Sequence, residues 1–275
     1  MLSGCSTIKV VYNNSDDLIY WWLDGYADLQ DGQKQLTRDA LTELQRWHRQ
    51  QQLPEYVALL KRMQAMAPND ITPAQVCAVT EDMKASFTRV LRHMEPTSAQ
   101  LSSQLSAVQL RSVRKRFDKT NKTWKEDWLD PDAEARLNYR IKQATNRLED
   151  FYGSLDKPQR EVLRQWLSAS MFDPAFSYAE RERRQADTLQ TLQRIAQEGT
   201  APNKQEQAQA LLRGLVDRSF DSPNERYRTY NRSLWNENCA GFAKLHNSTT
   251  PTQRQRMVEA LRGYEQDFKT LMAQK

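Results

Sequence analysis

The chain has 275 residues, with 40 Lys and Arg against 35 Asp and Glu, a net charge of +5, and only 8 Gly and 10 Pro. So few turn formers disfavour sheet-rich architectures, while abundant Gln, Arg, Leu and Ala favour long helices, and the expected fold is all-α. No run approaches the roughly 18 apolar residues of a membrane span, and the charges are interspersed in the manner of a solvated surface.

In chain order, residues 1–14 carry Leu2-Ser3-Gly4-Cys5 and form a short tether, and residues 15–275 form one helical domain. Helices are expected over 15–28, 33–51, 54–67, 73–94, 98–128, 131–152, 157–170, 176–198, 204–220, 224–246 and 251–274, a bundle of about ten to eleven. Thr72 with Gln75, Thr97 with Gln100, Asp156 with Gln159 and Thr250 with Gln253 have capping-box spacing, in which cap side chain and third helical residue satisfy each other's backbone amides. Asp130-Pro131 and Asn203 with Glu206 mark two further starts, and Pro96, Gly153 and Gly199 mark ends. Beyond these boxes no internal repeat stands out.

Three apolar stripes recur at helical spacing: Val76 to Met94, Leu137 to Phe151, and Met257 to Leu271. Over 98–128 the stripe changes sides. Leu101, Leu105 and Val108 share one face, and Leu110, Val113, Phe117, Trp124 and Trp128 lie half a turn round. The expectation is a long helix bridging two sub-bundles that meet near 108–110, with a kink near Gln109 as the alternative.

The tetrapeptide ending at Cys5, the Tyr12-Asn13-Asn14 segment, Trp21-Trp22, Trp47-His48 with Leu53-Pro54 and Tyr56, and the stretch from Asn238-Cys239 through Leu245-His246-Asn247-Ser248-Thr249-Thr250-Pro251 carry a likeness. Together they resemble a family of bacterial lipoproteins whose domain has no known function. The resemblance implies export, a diacylglycerol thioether and an N-acyl chain on Cys5, and a helical body attached to the periplasmic face of the outer membrane, the destination that Ser6 after the cysteine resembles. It implies no activity. Only Met1 precedes the tetrapeptide here, which is read as a late-assigned start or a trimmed form whose Cys5 stays unmodified. With Cys5 assigned to lipid, Cys77 and Cys239 either pair in an oxidising compartment or stay as buried free thiols.

No catalytic residue, cofactor or metal site is assigned. His48, His93 and His246 lack zinc-site spacing; His93 and His246 are read as helix C-terminal residues favoured by the dipole, and His48 as structural. Asp24 and Asp28 near Trp21 and Trp22 could serve a peptidoglycan-cleaving acid, but a polar helix edge is favoured. Arg111, Arg114, Lys115, Arg116, Lys119 and Lys122 form a basic face suited to lipid or peptidoglycan; a cytosolic nucleic-acid binder is the disfavoured alternative. Asn238 falls on the apolar face with Tyr227 and Tyr230, as a buried core contact or as one side of a weak pocket. The Ile71-Thr72-Pro73-Ala74-Gln75 start looks somewhat like the L-T-x-x-Q starts of small periplasmic chaperones. The expected function is non-enzymatic: a lipid-anchored binding, chaperone or scaffold protein whose partner is an envelope protein, lipid or peptidoglycan.

Overall fold

The computed structural model describes residues 7–199 and 202–274. In order these form α1 (Thr7–Asn13), α2 (Ser15–Ala27), α3 (Asp31–Trp47), a π turn (His48–Gln52), α4 (Leu53–Met66), α5 (Pro73–Ser103), α6 (Ala107–Trp128), α7 (Ala133–Tyr152), α8 (Lys157–Ser168), α9 (Pro174–Glu198), α10 (Pro202–Phe220), α11 (Glu225–Asn247) and α12 (Pro251–Ala273). All regular structure among the described residues is helical, so the all-α bundle is the fold.

The caps at Thr72, Asp156 and Thr250 form as complete boxes. Gly153 and Gly199 end α7 and α9 at positive φ, +70° and +78°, where a residue without Cβ is unstrained. The start expected at Asp130-Pro131 moves to Asp132, whose side chain accepts from Ala135 N–H at 2.8 Å.

Two expected boundaries are absent. Helix α5 runs through Pro96 and Thr97, so Thr97 caps nothing and His93 sits in mid-helix. Tertiary contacts hold it: buried Glu95 takes a two-pronged guanidinium from Arg213, and Gln205 Nε2 donates to Pro96 O at 2.8 Å. The break falls instead at Gln104–Leu105, and Ser106 caps α6 with Gln109 as its box partner. The jump in the stripe near 108–110 is thus a new helix starting, not one helix with two partners. The bridging role moves to α5, which packs on α3, α9, α10 and α11. Similarly, 33–51 and 54–67 are not separate rods. Leu53 N–H donates to His48 O, a π step that carries the chain past Pro54 without a loop.

The capping-box glutamines do more than cap. Buried Gln159 and Gln253 exchange hydrogen bonds at 2.7 and 2.9 Å, and each amide also donates to the carbonyl two residues before the other's cap, Ser248 O and Ser154 O. Gln33 and Gln109 repeat the arrangement, with Gln104 O and Asp28 O as the carbonyls. Two pairs of helix N-termini are therefore clasped in the same way, a structural repeat that sequence comparison along the chain does not expose. Thr72-Gln75, the start most like the chaperone pattern, stays exposed and unclasped.

Among the described residues the interior forms three clusters. The largest joins α7, α8, α11 and α12 around Leu148, Tyr152, Leu163, Leu245 and Leu261. A second gathers Tyr20, Leu29 and Leu41 with Leu101, and a third Ala99, Ile195 and Ala208. Helix α5 supplies residues to both of the smaller clusters.

Candidate binding groove

Helices α5 and α11 lie antiparallel, tied at one end by Asn247, whose amide exchanges bonds of 2.8 and 3.0 Å with the backbone of Ile71. Further along, the Cys77–Cys239 disulfide joins them, with Cα atoms 5.5 Å apart. Past the disulfide, residues of α5 and α11 and the end of α10 line a common space. The result is an open groove of about 800 Å³.

Its walls combine two chemistries. Met83, Phe220 and Trp235 give it an apolar floor and rim, with Met83 57% and Trp235 37% exposed. Lys84, Arg184, Arg228 and Arg232 face it against two carboxylates, Glu81 and Asp221. Lys84 lies 4.0 Å from Glu81 and Arg228 3.8 Å from Asp221, both loose pairs. Exposed Arg232 has no carboxylate within 4.0 Å among the described residues.

Behind the wall is a tight ion network. Glu180, 4% exposed, accepts from Arg183 and Arg184 at 2.9 Å and from Ser222 Oγ at 3.0 Å. Burial pushes its carboxyl upward, but these donors outweigh burial and hold it below the usual carboxylate range. Asp187 joins Arg183 to Arg218 and is likewise held low, chiefly by its hydrogen bond from Arg218. The network fixes Arg184 beside the groove, 5.7 Å above the Tyr227 ring.

Next to the groove, a smaller cavity of about 220 Å³ is lined by Met63, Met66, Met257 and Phe242 and shares Thr80 and Met83 with it. Thioether side chains are flexible enough to repack around varied apolar shapes.

The predicted site residues distribute unevenly. Cys5 lies outside the described residues. Cys77 and Cys239 are bridged, which removes the free-thiol alternative. Tyr227 and Tyr230 do meet, packed edge-on and tilted against Phe176 at 5.3 and 5.1 Å, and Tyr227 forms part of the groove wall. Tyr230 instead accepts Asp173 N–H at 2.8 Å. Asn238 is exposed, so it is not a buried core contact, and it does not line the groove. The helix rotation set by Cys239, 3% exposed beside it, turns Asn238 outward.

Of the basic face on α6, Arg111, Arg114, Lys115, Lys119 and Lys122 are exposed, but Asp118 stands among them and Lys122 pairs with Glu126 at 3.8 Å. Arg116 turns aside onto the Tyr26 ring, 5.4 Å away. Asp24 accepts Leu29 N–H at 2.9 Å and closes the turn after α2, and Asp28 takes the left-handed conformation there. His48 sits in the π turn between Tyr12 and Tyr56 hydroxyls at 2.9 and 3.3 Å, and Trp47 stacks on His93 at 4.0 Å.

The stretch around Leu245–Pro251 is a structural knot. His246, 1% exposed, links Tyr152 OH at 2.7 Å to Asn69 O at 2.9 Å, so it is a buried bridge and not a helix-end cation. Arg254 reaches Asp70 at 2.5 Å. The groove itself was missed in the sequence because Met83 and Phe87 belong to a stripe that reads as core, whereas both are exposed.

No curated protein and no solved structure shows significant similarity to the chain. A family model matches residues 25–213, which takes in Trp47-His48, Leu53-Pro54, Cys77 and the basic face but neither Cys5 nor the stretch from Asn238 to Pro251. Over that span the chain belongs to a family of unknown function, DUF6279.

Proposed function

We propose that the protein is a non-enzymatic, lipid-anchored component of the bacterial envelope that works by binding, and that the groove between α5, α10 and α11 is its binding surface. One observation carries the reading: an open groove in which exposed Met83 and Trp235 lie beside Lys84, Arg228 and Arg232. An apolar floor with cationic rims suits an extended or helical protein segment whose side chains alternate between apolar and acidic. The oxidised Cys77–Cys239 pair fits an exported protein. The Cys5 tetrapeptide supports the anchor, and acylation with more than one chain holds a protein at a bilayer without a membrane helix. No helix among the described residues is long and apolar enough to cross a membrane. The Ile71-Thr72-Pro73-Ala74-Gln75 start, whose capping box forms, supports a chaperone or scaffold role through its likeness to L-T-x-x-Q starts.

The test is a titration of the full chain with two synthetic peptides, one alternating Leu and Glu, the other Leu and Lys, followed by tryptophan emission. The Leu-Glu peptide is expected to bind, and Arg232→Glu to weaken it by about tenfold, as for a desolvated charge contact. Trp235→Ala should remove most of the signal. Equal binding of both peptides, or an unchanged affinity in Arg232→Glu, would overturn the assignment of the groove.

A further inference from the structure

Six of the thirteen large apolar residues exposed among the described residues fall within one short stretch: Val10, Val11, Leu18, Ile19, Trp21 and Trp22. Trp21 and Trp22 are 60% and 59% exposed. At about 100° per residue, Leu18, Ile19, Trp21, Trp22 and Gly25 occupy one sector of α2 about 160° wide, with no charged side chain in it. All five are exposed. The acidic residues of α2 point the other way: Asp17 meets Arg38 at 3.2 Å, and Asp24 accepts Leu29 N–H at 2.9 Å. A helix that turns its charges toward the protein and its tryptophans outward reverses the usual amphipathic arrangement.

This face is held rigidly. Lys9 of α1 pairs with Asp267 of α12 at 3.3 Å, Gln45 donates to Tyr12 O at 2.9 Å, and the Arg38 guanidinium stacks 3.7 Å from the Tyr20 ring. Tyr20, on the inner side of α2, is 6% exposed.

We infer that the outer face of α2 is a membrane-contact surface, which seats the body on the lipid bilayer in one orientation. The inference rests on the anchor reading for its choice of occupant. One residue, Ser6, separates Cys5 from the first residue of α1, and a peptide spans at most about 3.6 Å per residue. An acylated Cys5 therefore brings α1 and α2 against the headgroups. There, paired tryptophans are favoured because the indole is apolar in body and carries one polar N–H. Asp16, Asp17 and Asp24, the charged residues of α2, lie off this face and are acidic, so α2 offers no attraction to anionic lipid and the contact is apolar in origin and insensitive to salt.

The experiment uses the full chain and its own thiol. With Cys77 and Cys239 bridged, Cys5 is the thiol that reacts with a maleimide lipid in zwitterionic vesicles, some of whose acyl chains carry bromine. Tethering should quench part of the tryptophan emission of the wild-type protein, equally at low and high salt. Trp21→Ser/Trp22→Ser should lose most of that quenching while retaining its helical circular dichroism. Absence of quenching in the tethered wild type, or quenching of the same size in the double variant, would overturn the surface. Dimerisation in solution abolished by the same variant would give the face to a second copy and overturn it too. The anchor is read separately, from the mass of Cys5 in cells. Quenching with an unacylated cellular Cys5 would uphold the surface and overturn the anchor.

Discussion

Gln159 and Gln253 are 1% and 8% exposed, and each amide satisfies its partner's cap as well as its own. Gln253→Leu would leave the Gln159 amide and Ser154 O short of partners in the interior, a loss of about 2–4 kcal/mol. Adding Gln159→Leu should cost less than the two single losses combined, because each single change already strands the other glutamine. Urea unfolding of the three variants measures this; additive losses would show that the two amides do not act as a unit. His246 sets a pH response. Burial pushes its pKa, and that of His48, below the usual histidine value. Above about pH 6.5 folded and unfolded rings are both neutral and stability is full; below it the unfolded chain takes up protons that the folded one refuses, so stability falls. The melting temperature should drop between about pH 7 and pH 5, and His246→Gln should flatten part of the drop at a lower overall stability. Glu180 and Asp187, held low by their arginines, keep their contribution until the pH falls below the ordinary carboxylate range. A flat profile down to about pH 5.5 would contradict the buried neutral bridge.

At the scale of elements, the sequence was most legible where local chemistry decides. Thr72, Asp156 and Thr250 cap, and Gly153 and Gly199 terminate, because these choices involve only the backbone within a few residues. Legibility failed where a distant helix decides. Pro96 is carried through by Arg213 and Gln205 of α10, and Pro54 by the π turn, and neither partner is visible at the proline. Helix contacts give a further expectation. The Trp166 indole of α8 lies flat on Gly241 of α11, in the space a Cβ would need. Gly241→Ala gains up to about 1 kcal/mol in helix propensity and loses about 1–3 kcal/mol by overpacking. A net destabilisation is expected, rescued by Trp166→Leu; a stabilised Gly241→Ala variant would contradict the close approach.

For the whole molecule, covalent closure matters because the disulfide ties α5, which serves the two smaller clusters, to α11 of the largest. The Cys77–Cys239 bridge spans 162 residues, a closure whose loss removes up to about 5 kcal/mol in the chain-entropy picture. Reduced protein should melt well below the oxidised form, as should Cys77→Ser/Cys239→Ser. The candidate site was less legible than the fold because an exposed apolar residue and a buried one look alike in a periodic stripe. Met83 and Phe87 continue the spacing of Val76 and Val79, and Trp21 and Trp22 pass for core, until packing shows all four exposed. The groove proposed for acidic amphipathic segments and the tryptophan face proposed to meet lipid together make up our reading of a binding protein oriented on a membrane. The most direct test is intact and peptide mass spectrometry of the product of the complete gene, recovered from its own bacterial envelope. The account predicts a chain beginning at Cys5, with diacylglycerol on its sulfur and an acyl group on its amine; an unacylated Cys5 in uncleaved chain from the cell interior would contradict it.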